Sequence, residues 1–173
     1  MKVGQKGFTL IELVIATGVI AVLSLSTMIV TYMLTTGNDY NCDQMIALIQ
    51  TQNAGHWISR DVEMARSIGT DNLTLPQFLH LNWTDISSGD RYQVVYTLED
   101  TANSNLKRLL RNESINGGPE NKTFIAQYID ADPQKSSCEF SDGVLTLTIT
   151  STAGAGTRTQ TVNRVYKILP RPD

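Results

Sequence analysis

The chain opens on an unbroken apolar run and then changes period twice. From Gly7 to Leu34 the residues GFTLIELVIATGVIAVLSLSTMIVTYML hold a single charged side chain, Glu12, in 28 positions. A helix from Phe8 to Leu34 would be about 40 Å long, enough to cross a hydrocarbon core of roughly 30 Å. Thr17, Ser24, Ser26 and Thr27 within it can bond back to carbonyls of the preceding turn, and Gly18 is its weakest point. At Thr35 the chain turns polar, through Gly37, Asn38 and Asp39, where the helix either continues or loosens briefly. Apolar positions then return at spacings near three and four, from Tyr40, Met45, Leu48, Ile49 and Gln52 to Ala54, Trp57, Ile58, Val62, Ala65 and Ile68. This predicts an amphipathic upper helix over 35–69, with Gly69 as its stop.

Beyond Gly69 the period shortens to two. Leu73–Leu75 and Phe78–Trp83 are apolar but interrupted by Pro76, which predicts a loop with at best an edge strand. Tyr92, Val94, Tyr96 and Leu98 alternate with more polar neighbours as a half-buried strand, and Leu106–Arg111 is its expected hairpin partner. Residues 115–122, with Gly117-Gly118-Pro119, read as a loop, Thr123–Ile129 as a third strand, and Asp130–Asp142 as a long loop carrying Cys138. Val144–Thr150 and Thr157–Ile168 form the last pair, turning through Ala153-Gly154-Ala155-Gly156. The expected class is α+β: one long helix, its lower half membrane-spanning, packed against an antiparallel sheet formed by a β-rich domain over 70–173.

Composition and charge narrow the function. A length of 173 residues suits one globular domain on one helix. Lys2 and Lys6 precede the apolar run and no Lys or Arg follows until Arg60, which places the N-terminus in the cytoplasm and the rest outside. The run is too long for the apolar region of an ordinary cleavable signal peptide. Without Lys2 and Lys6 the chain would carry 12 basic and 17 acidic residues, and no basic patch points to nucleic acid. Cys42 and Cys138 are the only cysteines. An oxidising exterior and an even count suit a disulfide between them, and two isolated buried thiols are the alternative. His56 and His80 have no second metal ligand at a recognisable spacing. Asp130, Asp132 and Asp142 could together hold calcium, but without the glycine and terminal Glu of an EF-hand loop they read as solvated loop acids, and no metal, cofactor or catalytic site is expected. Trp57 and Ile58 are expected in the core with Arg60 and Asp61 solvated. Arg108 and Arg111 are expected to be solvated or to pair with Glu99 and Asp100.

Glu12 remains to be explained, because a carboxylate within a membrane segment is costly and calls for a partner. Its surroundings, Lys6-Gly7-Phe8-Thr9-Leu10-Ile11-Glu12-Leu13, resemble the leader and mature start of type IV prepilins and pseudopilins at every position. The resemblance implies a leader, residues 1–7, cut after Gly7 by a prepilin peptidase, with N-methylation of the new terminus at Phe8. It implies that Glu12 pairs with the terminal amine of a neighbouring subunit during assembly, through a filament-core helix over 8–34. Trp57–Val62 looks like the segment preceding the sheet in J-type minor pseudopilins and related minor pilins. The family's shape is a lollipop, a long helix under a β-rich head.

The resemblance therefore implies a structural subunit, a minor pilin or pseudopilin, of a type IV pilus or type II secretion-type filament. Its partners would be other pilin or pseudopilin subunits, the prepilin peptidase and an assembly platform in the cytoplasmic membrane. The chain would start as a single-pass inner-membrane protein and end in a periplasmic or extracellular filament. A membrane-anchored extracellular binding protein that never polymerises is the competing reading.

Overall fold

The computed structural model describes residues 9–70, 76–101, 104–156 and 158–171. A single helix, α1 (Leu10–Met64), is followed by eight strands: β1 (Ser67–Gly69), β2 (Gln77–Thr84), β3 (Arg91–Thr101), β4 (Ser104–Ile115), β5 (Asn121–Asp130), β6 (Ser137–Ser141), β7 (Val144–Ala155) and β8 (Arg158–Ile168). All pair antiparallel, in the order β1-β2-β3-β4-β5-β7-β6, with β8 on the other side of β7. The chain divides into two compact units, Met1–Asn41 and Cys42–Asp173, and α1 contributes to both. This is the expected α+β architecture, pilin-like in its one long helix followed by an antiparallel sheet.

Several boundaries differ from expectation, each for a local reason. The helix runs unbroken through Gly37 but ends at Met64, short of Ile68. Ala65 N–H tightens the last turn onto Val62 O (3.1 Å), and Arg66 N–H already donates to Asn82 O of β2 (3.0 Å). The ladder thus claims residues 67–69 that helical periodicity alone would keep. The expected loop at Phe78–Trp83 is an interior strand, with Leu79 and Leu81 fully buried between β1 and β3. Pro76 does not prevent this because it stands one residue before the strand. Its missing N–H costs the ladder nothing there, and its carbonyl accepts the Leu98 N–H at 2.7 Å. Cys138 lies on β6 opposite Leu147, not in a loop. Leu73–Leu75 lie outside the described residues.

The buried face of the upper helix keeps Ala54, Ile58, Val62 and Ala65 of the expected stripe but not all of the rest. Met45 and Ile49 are 61% and 43% exposed, and Gln52 faces outward too. The residues that meet the sheet are Ala47, Thr51, Ala54, Gly55, Ile58, Asp61 and Val62. Small side chains let the backbones approach closely. At Gly55 a Cβ would stand only 2.2 Å from the Tyr166 ring, so glycine makes room for that ring to lie on the helix. The Tyr166 hydroxyl then donates to Thr51 O at 3.1 Å. Ala54, Ile58 and Val62 complete the core with Leu79, Leu81, Val94, Leu109, Leu145, Leu147 and Ile149 of the sheet. Among the described residues β5 and β7 pair only at Ile129 and Ser151. Where the ladder opens, Gln50 of the helix takes over a strand's role, its Oε1 accepting the Gln127 N–H at 2.9 Å.

At the centre of this core is a charge. Asp61 is fully buried, where solvation was expected. Its Oδ2 accepts the Arg111 Nε–H at 2.5 Å and the Tyr96 hydroxyl at 2.7 Å. Arg111, itself only 4% exposed, also donates to Glu113 Oε1 at 3.1 Å. Arg60 stacks over the Trp57 ring at 4.2 Å, with Nη2 3.6 Å from Asp61 Oδ1. The expected pairing of Arg111 with Glu99 and Asp100 is therefore wrong: Lys122 and Lys107 serve those acids. Burial works against the Arg111 charge, but Glu113 and Asp61 outweigh it and hold the guanidinium above its ordinary value. Burial, then the Asp61 charge, pushes the Tyr96 phenol well above its usual range.

Removing one partner of a buried pair strands the other, which typically costs about 3–5 kcal/mol, whereas an apolar replacement of both is often neutral. Asp61→Ala or Arg111→Ala should each lower unfolding stability by about that much in a denaturant titration, and Asp61→Leu/Arg111→Met should recover most of it. Because the folded Tyr96 pKa is raised above its unfolded value near 10, its contribution is intact below pH 10 and declines as pH rises beyond it. Tyr96→Phe should therefore cost about 1–3 kcal/mol at neutral pH and flatten the stability curve above pH 10, which thermal melts across pH 8–12 would show.

Candidate functional site

The site the sequence singles out lies at the start of α1. Thr9 stands just outside the helix, its carbonyl accepting the N–H groups of Glu12 (3.1 Å) and Leu13 (3.2 Å). Its Oγ1 donates to Glu12 Oε2 at 3.5 Å. Thr9 and Glu12 have the spacing of a capping box, and a carboxylate in the first turn is favoured by the positive end of the helix dipole. Among the described residues no cation pairs with Glu12. Gly7 and Phe8, the expected processing residues, lie outside the described residues, as does all of the expected leader.

Around and above Glu12 every large apolar side chain from Leu10 to Leu34 is open, between 53% and 82% exposed. The Ser and Thr hydroxyls do not spoil this surface, because each is answered within the helix. Thr17 donates to Val14 O, Ser24 to Ile20 O, Ser26 to Val22 O and Thr27 to Leu23 O, all within 2.6–2.9 Å. Backbone bonds close every turn as well, so the segment offers hydrocarbon on all sides and one carboxylate near its end. Of the described helices, α1 is long and apolar enough to cross a membrane. Its place near the N-terminus points to membrane anchoring.

The remaining sequence candidates scatter. Cys42 is an exposed thiol on α1 and Cys138 a partly buried one on β6, both free, so the structure does not join them. Burial pushes the Cys138 thiol above its usual range. His56 is exposed on the helix, and His80 Nε2 meets Gln93 Nε2 at 2.8 Å. Asp130 is occupied by its own loop. Burial opposes its charge, but Lys135 Nζ at 2.6 Å and the Asp132 N–H hold its carboxyl below the usual range.

One feature escaped the sequence reading. Trp83 of β2 and Tyr92 of β3 sit directly opposite one another, their rings parallel within 2° and 5.3 Å apart. They line a cleft of about 660 Å³ together with Arg66, Arg91, Asn82 and Gln93. Asn116, at φ +54°, anchors its rim: Arg91 N–H donates to its Oδ1 (2.9 Å), and its Nδ2 donates to Asp90 Oδ1 (2.7 Å). Arg66 and Arg91 are 25 residues apart in sequence, and the registers of β1 on β2 and of β2 on β3 set both at the same end of the sheet.

No curated protein and no solved structure matches the chain. The family model of the prokaryotic N-terminal methylation motif matches residues 2–28, the stretch that contains Glu12 and the open apolar helix. On that match, and on one long helix followed by an antiparallel sheet, the chain bears the signature of the type IV prepilins and pseudopilins.

Proposed function

We propose that the protein is a structural subunit of a type IV pilus or type II secretion-type filament, in a minor pilin or pseudopilin role. A peptidase cuts after Gly7, Phe8 becomes a methylated N-terminus, and the mature chain leaves the membrane by packing its 8–34 helix against those of other subunits. The observation that carries this reading is Glu12, the one carboxylate on the apolar stretch of α1 from Leu10 to Leu34, with no cation among the described residues. Another copy's terminal amine at Phe8 would supply that cation without adding a second charged side chain to the bilayer. Contacts of this head-to-tail kind do not close on themselves and so extend into a fibre. The uncovered Met45 and Ile49 give the upper helix apolar surface for the same packing. In this reading the chain is the substrate of a processing enzyme and not a catalyst, and the N-terminus starts in the cytoplasm.

Gly7→Glu should leave the leader in place, seen as an unshortened mass in cells that possess the peptidase; a trimmed product would contradict the assigned cut. Glu12 could instead act only as a helix cap, and substitution separates the two roles. Glu12→Gln keeps a side chain able to bond at the capping position and removes the charge. If the carboxylate pairs with an amine, both Glu12→Gln and Glu12→Val insert and are trimmed normally, yet enter sheared filaments at least tenfold less than the parent. Normal incorporation of Glu12→Gln would refute the charge pair.

A further inference from the structure

We propose that β8 is a docking edge, to which an acidic, extended segment of another protein adds as a further strand of the sheet. The proposal goes beyond filament assembly and does not depend on it. β8 pairs with β7 without interruption, from Leu145 opposite Ile168 to Ala155 opposite Arg158, and among the described residues no strand pairs with its other side. It therefore presents a row of backbone N–H and C=O groups along 11 residues. The other strands that end the sheet are short, 3 residues in β1 and 5 in β6. Shortness, proline and bulges are ways in which folds blunt an edge, and β8 has none of them. Its paired side is held firmly. Thr161 bonds to Thr152 through their hydroxyls (2.9 Å), and Asn163 Nδ2 donates to Thr150 Oγ1 (2.7 Å). On one face the Tyr166 ring rests on Gly55 of α1, with its hydroxyl on Thr51 O. The template is thus ordered before a partner arrives, which lowers the cost of binding.

The side chains select the partner. Arg158, Arg164 and Lys167 are exposed, β8 carries no acid, and none of the three makes an ion pair among the described residues. On a chain of net charge −3 this is a local reversal of sign. Charges on an edge oppose indiscriminate pairing, but charges of one sign also choose between partners. A second copy of β8 would set cations against cations, whereas an acidic strand would be drawn in. Strand alternation puts Arg158 and Arg164 on the face of Tyr166, and Lys167 on the other face with Val165, which is 55% exposed. A strand added antiparallel and in full register would therefore meet all three cations with acids at its second, fifth and eleventh positions, opposite Lys167, Arg164 and Arg158. A nucleic-acid strand fits less well. The cations are split between two faces, and the one aromatic ring of β8, Tyr166, is already laid on the helix.

The test is fluorescence anisotropy of labelled peptides titrated with the full chain in neutral detergent micelles. The acidic probe is TEVTEVTVTVE, which carries its acids at the stated spacing. A second probe replaces each Glu with Lys, and a third is RTQTVNRVYKI, the sequence of β8 itself. The acidic probe should bind saturably and at least tenfold more tightly than the other two. Arg164→Gln/Lys167→Gln should lose at least tenfold in affinity for it while melting with the parent, since both side chains are exposed. Two further forms of the acidic probe carry backbone N-methyl groups, one on odd and one on even positions. Only every second N–H of an added strand points at β8, so one form should bind at least tenfold more weakly than the other. Equal affinity of the two methylated forms would overturn strand addition. No saturable binding, equal binding of the Lys probe, or unchanged binding by the double variant would overturn the acidic partner. Tighter binding of the β8 peptide than of the acidic probe would make the occupant a second copy and overturn the proposal.

Discussion

A carboxylate withdrawn from water has to be given a cation, and in the β domain that demand fixes how helix and sheet meet. Asp61 projects from α1 into a core of aliphatic side chains and is answered there by Arg111 and Tyr96 from two adjacent strands. Each partner is directional, so the helix can neither rotate nor slide along its axis without stranding a buried charge. Hydrophobic burial by Ala54, Ile58 and Val62 supplies attraction that is indifferent to such movements. The ion pair adds little net stability over an apolar substitute, and its contribution lies in selecting one register.

The same helix carries a second carboxylate under the opposite condition. Glu12 lies in a segment whose surface is hydrocarbon on every side, and among the described residues it meets only the hydroxyl of Thr9. Among the described residues it is offered a cap and a favourable dipole but no cation. Asp61 satisfies itself within one chain and thereby builds a domain. Glu12 is left with a requirement that a second chain can meet, and on the proposed reading this turns a membrane anchor into a polymer contact.

The sheet shows how local rules give way to tertiary ones at its margins. Pro76 looks disruptive in sequence, yet one residue outside β2 it is harmless, and the strand it precedes becomes part of the core. Residues 65–69 fit the helical period, but the exposed edge of β2 offers them ladder bonds instead. Where β5 and β7 diverge, a helix glutamine completes a strand's hydrogen bonding. In each case a backbone group in need of a partner decided the outcome, and its partner came from an element remote in sequence.

Sequence alone determined the parts governed by short-range periodicity and by solvent. The apolar run, its single acid, the motif around Gly7 and Phe8, the long helix and most strands are legible because each depends on neighbours within a few residues. Even Asp61 left a trace, three residues after Ile58 and four before Ala65 on the buried face, as did Arg111, two residues after Leu109 on the inward side of β4. What no local pattern contained was the pairing of those two charges, the burial of Gly55 and Ala47 while Met45 and Ile49 stay open, and the stacking of Trp83 on Tyr92. Those depend on strand register and on how closely two backbones approach, quantities that exist only once the chain has folded back on itself.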